Sequence, residues 1–369
     1  MNNRFRRWAC GFLALVCMLL AACGAFVYAV DPCFYYRLPS DGTGVFFNER
    51  YQNAGLARNT PADTVLLGTS MVANYRPGQV EEVFGGTAVK LTMPDGYLSE
   101  FTTVVDAVLR WQTPRRVVFG LDVNILVRDE SGVTGALPEY LYNANPLDDV
   151  KYLLNRDTLY YSVYTLLQRS RGQTQPLEKA FTWEEDLWWN HMTALANYER
   201  PEIVETPLAA DAYAANTDAN LSEIEGWLTA YPDTEFDIFL SPYSLLYWDK
   251  TLRLGECEAV FAALEETCRR LTAYDNCHLY GLLMDREIVE NLDYYADYIH
   301  HSDEAAAVAL EKIAAGESLL TKENWPETLA NWREFVVNYP YDQYWTDAFW
   351  WKWDIDHGAP VVWQPGDAN

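Results

Sequence analysis

A serine hydroxyl is a poor nucleophile until a neighbouring base takes its proton, and the base needs a third group to fix its tautomer. Two short strings of this chain supply all three. Ser70 closes Gly68-Thr69-Ser70, directly after the apolar run Thr64-Val65-Leu66-Leu67. Asp297-Tyr298-Ile299-His300 puts a carboxylate three residues ahead of an imidazole, a gap that one loop can present. The expected roles are nucleophile for Ser70, general base for His300 and orienting carboxylate for Asp297. An acyl transition state also needs donors for its oxyanion. The candidates are the backbone N–H groups of Ser70 and Gly96, with the side chain of Asn124 or Asn74.

Each of these residues also has a plainer reading. Ser70 can end a strand and cap the helix after it, and Gly96 can be a turn glycine. His300 and His301 can ligate a metal with Asp297 or Asp303, but adjacent histidines rarely point the same way, and no metal or cofactor is expected. Ser302 followed by Asp303 and Glu304 reads as a helix N-cap with an acidic first turn. His300 then lies on the loop just before that helix, well placed to reach a serine at a strand end. His278 lies within a strand run and His191 and His357 among aromatics, so packing is their expected role.

Five short apolar runs must position these groups: Thr64–Leu67, Ala88–Met93, Arg116–Val123, Phe236–Leu240 and Cys277–Leu283. Continuous apolar runs suit strands buried on both faces of a parallel sheet. Helical patterns at Leu98–Trp111, Leu252–Tyr274 and Ser302–Ala315 alternate with them. The expected fold class is α/β, a five-stranded, mainly parallel sheet with helices on both faces. Ligands of such sheets bind at the carboxyl ends of strands, where Ser70, Pro94-Asp95-Gly96, Asp122–Asn124 and Pro242-Tyr243-Ser244 all fall. Residues 130–230 exceed a simple crossover and are expected to form a helical insertion, a wall or lid over the strand ends.

No charged residue lies between Trp8 and Val30; Arg4, Arg6 and Arg7 precede this stretch and Asp31 follows it. At ~1.5 Å per residue it would span about 34 Å as a helix, long enough to cross a bilayer. Arginines on one side only predict a cytoplasmic N-terminus. Leu20-Ala21-Ala22-Cys23 offers a rival, a lipoprotein cleavage site leaving a lipidated Cys23. The expected organisation is a cytoplasmic tip (1–7), an anchor (8–30), an α/β domain (31–318) and a Trp-rich extension (319–369) packed on it. The chain's net charge of −26 argues against nucleic acid as a partner. Cys257 and Cys268 share an apolar helical stripe about 16 Å apart, too far to bridge each other; a bridge to Cys277 stays open.

These residues together resemble the SGNH (GDSL-like) hydrolase superfamily: a serine after the first strand, a glycine after the second, a polar residue after the third and Asp-x-x-His near the end. The nearer likeness is to its membrane-anchored, extracytoplasmic bacterial branch. That branch includes alginate O-acetyltransferase proteins and the D-alanyl transfer protein of lipoteichoic acid synthesis. The resemblance rests on the apolar segment before Asp31-Pro32, on Gly68-Thr69-Ser70-Met71 with Asn74, on Pro242-Tyr243-Ser244 and on Asn291 through His300. It implies a flavodoxin-like three-layer sandwich around five parallel strands, and serine ester or acyl-transfer chemistry without a metal. Two positions depart from the pattern. Gly-Asp-Ser is Gly-Thr-Ser here, and the Gly-x-Asn-Asp string after strand three offers only Asp122 and Asn124. An ionised Asp122 cannot donate a hydrogen bond.

The function expected is a membrane-tethered serine esterase or O-acyltransferase acting on a cell-surface glycan. Its partners would be that glycan or an acyl donor, with a membrane acyl-transfer protein beside it. The alternative is a glycan-binding or scaffold protein that keeps the fold without effective catalysis.

Overall fold

A computed structural model describes residues 3–129, 132, 134–183 and 187–346 of the chain. Six strands form the main sheet: β1 (Thr64–Gly68), β2 (Ala88–Thr92), β3 (Arg116–Leu121), β4 (Glu235–Leu240), β5 (Cys277–Tyr280) and β6 (Leu319–Leu320). They lie in the order β2-β1-β3-β4-β5-β6. The first five run parallel, and β6 pairs antiparallel to β5 through Leu279 with Leu320 and Tyr280 with Leu319. The sequence reading expected five strands. The sixth is two residues long, too short to carry a periodicity, and its pairing takes the α/β unit past the expected limit at residue 318. The helix Trp325–Asn338 follows and buries Leu329, Trp332 and Val336. Of the expected extension, residues 347–369 lie outside the described residues, as do Met1 and Asn2 of the expected cytoplasmic tip.

Side chains alternate across the strands and build two cores. Val65 and Leu67, Val117 and Phe119, and Phe236 and Ile238 face the helices Leu98–Trp111, Ala214–Ala230 and Cys257–Leu271. Leu66, Val118 and Phe239 face Pro77–Phe84 and Asp303–Ala315. The result is a three-layer α/β sandwich with the strand carboxyl ends open between the layers. The long helix expected over 252–274 is divided in two, Leu245–Arg253 and Cys257–Leu271. Gly255 between them has φ +66°, a conformation open to glycine. Cys257, Cys268 and Cys277 are free, buried thiols.

The long segment after β3 divides between the sheet, the N-terminal helix and the strand ends. Ala214–Ala230 is the crossover helix on the sheet, so the insertion proper is shorter than 130–230. Its helices Asp149–Leu153 and Arg156–Ser170 pack along the N-terminal helix Asn3–Val30. That helix is long and apolar enough to cross a membrane, with a mean hydropathy of 2.5. Trp183 reaches the strand ends, and residues 190–197 lie against the loop that carries His300: the Asn190 N–H donates to the Tyr295 carbonyl at 3.2 Å and Asn197 Nδ2 to the Ala296 carbonyl at 2.8 Å.

Candidate active site

The turn after β1 is tight because two glycines make room for it. Gly68 and Gly120 are paired in register across β1 and β3. A Cβ on either would lie 2.7 Å from Val72 Cγ1, well inside contact distance. Without side chains there, Val72 folds back onto the sheet, and the short 3₁₀ turn Ser70–Val72 stands at the strand end. The Thr69 hydroxyl accepts the Met71 N–H at 3.2 Å and donates to Asp122 at the end of β3. Ser70 is thus held between a capped turn and a buried carboxyl.

The opposing loop is fixed as closely. Ala296 N–H donates to the His300 carbonyl at 3.1 Å and Ser302 N–H to the Tyr294 carbonyl at 2.7 Å, closing a narrow turn around residues 296–300. Tyr295 Oη donates to the Pro242 carbonyl at 2.8 Å, and Ser244 Oγ to the Tyr298 carbonyl at 2.8 Å. The segment after β4 therefore carries the loop. Ser302 caps Asp303–Ala315, accepting the Ala305 N–H at 3.3 Å.

These two pieces bring Ser70, His300 and Asp297 together. Ser70 Oγ lies 2.9 Å from His300 Nε2, and His300 Nδ1 lies 2.6 Å from Asp297 Oδ2. The other carboxylate oxygen of Asp297 accepts the N–H groups of Ile299 and His300, both at 2.8 Å. Burial works to raise Asp297. The hydrogen bond and charge of His300 and the two backbone donors outweigh it and hold the carboxyl below its ordinary value. An ionised Asp297 keeps the His300 proton on Nδ1 and leaves Nε2 as the acceptor facing Ser70. The His300 and Asp297 side chains are 22% and 24% exposed, so the pair opens to solvent and to a substrate.

The other candidates are placed differently. Gly96 donates its N–H to the Met93 carbonyl at 2.9 Å, within its own turn. Asn74 is buried with both ends of its amide in use, donating to the His301 carbonyl at 2.8 Å and accepting the Trp183 N–H at 2.9 Å. Asn124 is exposed on the short helix Val123–Val127. The N–H of Ser70 itself has no acceptor among the described residues. His301 turns away from His300: its Nδ1 lies 3.2 Å from the Ser302 carbonyl, and burial pushes the ring down to about 4. The two histidines therefore do not share a ligand.

The sequence gives Trp183 no role in the site, and it gives Thr69 and Asp122 no link to each other. Trp183 sets its ring edgewise against His300, with centroids 5.1 Å apart and planes at 69°. The aromatic density of 181–189 was the only signal of it. Thr69, which stands where the family pattern has Asp, joins the nucleophile turn to Asp122. Asp122 itself is pushed up to about 6 by burial, against the lowering effects of Ser241, Thr69 and the charge of His300. The Ser241 hydroxyl lies near this carboxyl without reaching hydrogen-bond geometry. His278 was assigned to packing and instead pairs with the buried Asp237, Nδ1 to Oδ1 at 2.9 Å.

The chain matches no protein-family model and no curated protein. Among solved structures it is similar to one described as "a putative platelet activating factor from Streptococcus pneumonia", at 13% identity and a TM-score of 0.39, over 72% of this chain and 89% of that one. A likeness at that level carries no conclusion about chemistry, which has to come from the geometry above.

Proposed function

We propose that this protein is a membrane-anchored serine esterase or O-acyltransferase, working outside the cytoplasm on a cell-surface glycan. The observation that carries the reading is the 2.9 Å contact between Ser70 Oγ and His300 Nε2, with Asp297 behind the imidazole. In the first step Ser70 Oγ attacks the acyl carbonyl while its proton passes to His300 Nε2. Asp297 stabilises the imidazolium, and the Ser70 N–H is the available donor for the oxyanion. The imidazolium then returns the proton to the departing alcohol, leaving an acyl-Ser70 ester. In the second step His300 takes a proton from water, giving an esterase, or from a sugar hydroxyl, giving a transferase; that oxygen attacks the acyl carbon, the bond from it to Ser70 Oγ breaks, and His300 returns the proton to Oγ. The N-terminal helix, uncharged from Trp8 to Val30 with arginines only at its start, supports an anchor with the α/β domain on the far side of the membrane.

A second reading is a glycan-binding or scaffold protein with little catalysis, and one observation favours it. The Gly96 N–H and the Asn74 amide are spent on internal partners, which leaves the oxyanion poorly supplied. The full-length protein in detergent, mixed with p-nitrophenyl acetate, separates the two. The catalytic reading expects a burst of nitrophenol equal to the enzyme present, followed by slower turnover that a glycan acceptor accelerates if transfer is the natural step. A flat trace at the rate of buffer alone would hand the case to the scaffold.

A further inference from the structure

The N-terminal helix does not end in a linker. Asp31 closes it, its N–H donating to the Val27 carbonyl at 2.8 Å. The Asp31 carboxylate accepts the N–H groups of Tyr35, Tyr36 and Arg37 at 2.9–3.0 Å and the Tyr152 hydroxyl at 2.9 Å. Arg37 Nη2 caps the last turn through the carbonyls of Tyr28 and Ala29, at 2.7 and 2.8 Å. Val27 is fully buried, and a Cβ on Gly24 would sit 3.6 Å from Leu154 Cδ2. The insertion helices thus clasp the last two turns of a helix that the rest of its length leaves bare.

That clasp shortens the span. Trp8 to Cys23 is about 24 Å of helix, against a hydrocarbon core of about 30 Å. Snorkelling of Arg7 recovers only part of the difference. The remainder falls on Gly24 to Tyr28, where the insertion packs. The surface of the insertion there is apolar and open. Leu147, Val150, Leu154, Tyr160, Val163 and Leu167 are all exposed, Leu147 by 80% and Tyr160 by 64%. Tyr160, Val163 and Leu167 recur at i, i+3 and i+7 along Arg156–Ser170, one continuous face. Residues 147–171 carry four basic residues, Lys151, Arg156, Arg169 and Arg171, against three acidic ones, in a chain of net charge −26; Lys151 pairs with Asp148, Arg156 with Asp157 and Arg169 with Asp41, so local charge is close to balanced and the apolar stripe is the main signal. An exposed apolar stripe on a helix whose charge is not acidic, in a strongly acidic chain, is the pattern of a helix lying in a membrane interface.

We propose that this face of the insertion is seated in the outer leaflet of the bilayer, so that the α/β domain stands on the membrane at a fixed height. The proposal rests on the N-terminal helix being a membrane anchor. Its continuity with that helix identifies lipid as the occupant: the face flanks the span at the depth where the hydrocarbon runs short.

The test uses the full-length protein in phosphatidylcholine–phosphatidylglycerol vesicles, with Cys10, Cys17 and Cys23 replaced by alanine. A single cysteine carrying an environment-sensitive fluorophore is introduced by Leu15→Cys, Val163→Cys or Lys322→Cys. Lipids bearing a doxyl group high on the acyl chain should cut the emission at position 163 about twofold and leave position 322 unchanged, while aqueous iodide should do the reverse. Position 15 reports the anchor alone. Lipid quenching at 15 with iodide quenching at 163 would overturn the seated face and leave the anchor standing. No lipid quenching at 15 would overturn the anchor, and the proposal with it. Protection of 163 from both quenchers would mean that protein covers the face, and would also overturn the proposal.

Discussion

The loop that presents His300 and the buried layer behind it are made of adjacent residues, yet they treat their polar groups in opposite ways. In the loop, Asp297 uses both oxygens and His300 both ring nitrogens, all in short, directed contacts at the edge of solvent. Behind it, the pairing is incomplete. His301 Nε2, Tyr75 Oη, Ser241 Oγ and one oxygen of Asp122 are buried with no hydrogen bond to the described residues. Nearby, Lys90 Nζ donates to the Ala73 carbonyl, its one partner among the described residues, and burial pushes it down to about 7. The contrast teaches a division of labour: the loop is wired for proton transfer, and the layer behind it positions the loop and the serine turn.

The sharpest way to break that division is to remove the wiring. Ser70→Ala and His300→Ala should each reduce ester hydrolysis by at least about 10⁴-fold, with unfolding midpoints unchanged, because members of such a unit fail together. Asp297→Asn should cost on the order of 10³–10⁴ in kcat by favouring the wrong histidine tautomer. Asp303→Asn, at the helix end beside Arg76, should change the rate less than about twofold. Comparable losses at 297 and 303 would dissolve the distinction between a wired carboxylate and an acidic neighbourhood.

Much of the wiring was legible because it lies in local strings. Apolar runs fixed where the strands would be, and a serine at a strand end with Asp-x-x-His before an N-cap is a short-range pattern. The layer behind it was not legible. Asn74 binds His301 across 227 residues, and Thr69 finds Asp122 across 53. No spacing in the sequence encodes such partners; only the sheet order brings them together. The same holds for the insertion. Its helices could be read from periodicity, but their attachment to the N-terminal helix depends on Asp31 meeting Tyr152, a long-range hydrogen bond. Gly96 misled for the reverse reason: a glycine at a strand end meets the steric needs of a turn before any chemical need.

Two smaller effects sharpen the positioning role. Asn74→Ala would strand the His301 carbonyl and the Trp183 N–H, costing about 2–4 kcal/mol of stability. It should also slow catalysis on the order of tenfold or more as the loop loosens, a combination readable from urea titrations and kcat on one preparation. The smallest effect is one of pH. The folded value of His301, about 4, lies below its ordinary 6.5, so the folded state binds fewer protons between those values. Its contribution to stability is complete above pH 6.5 and falls away as the pH drops towards 4, by up to about 3 kcal/mol. Asp122, raised from 3.8 to about 6, acts in the opposite sense over much of the same range, so only a difference isolates the histidine. The stability of His301→Phe relative to the parent should therefore rise steadily from pH 7 to pH 4; a constant difference would show that His301 titrates normally.

The claim that Ser70 is an activated nucleophile is tested most directly by peptide mapping of the full-length protein after reaction with a fluorophosphonate. The account predicts a single stoichiometric adduct on Ser70, absent from His300→Ala. An adduct on another serine, or a folded protein that takes up no label, would contradict it.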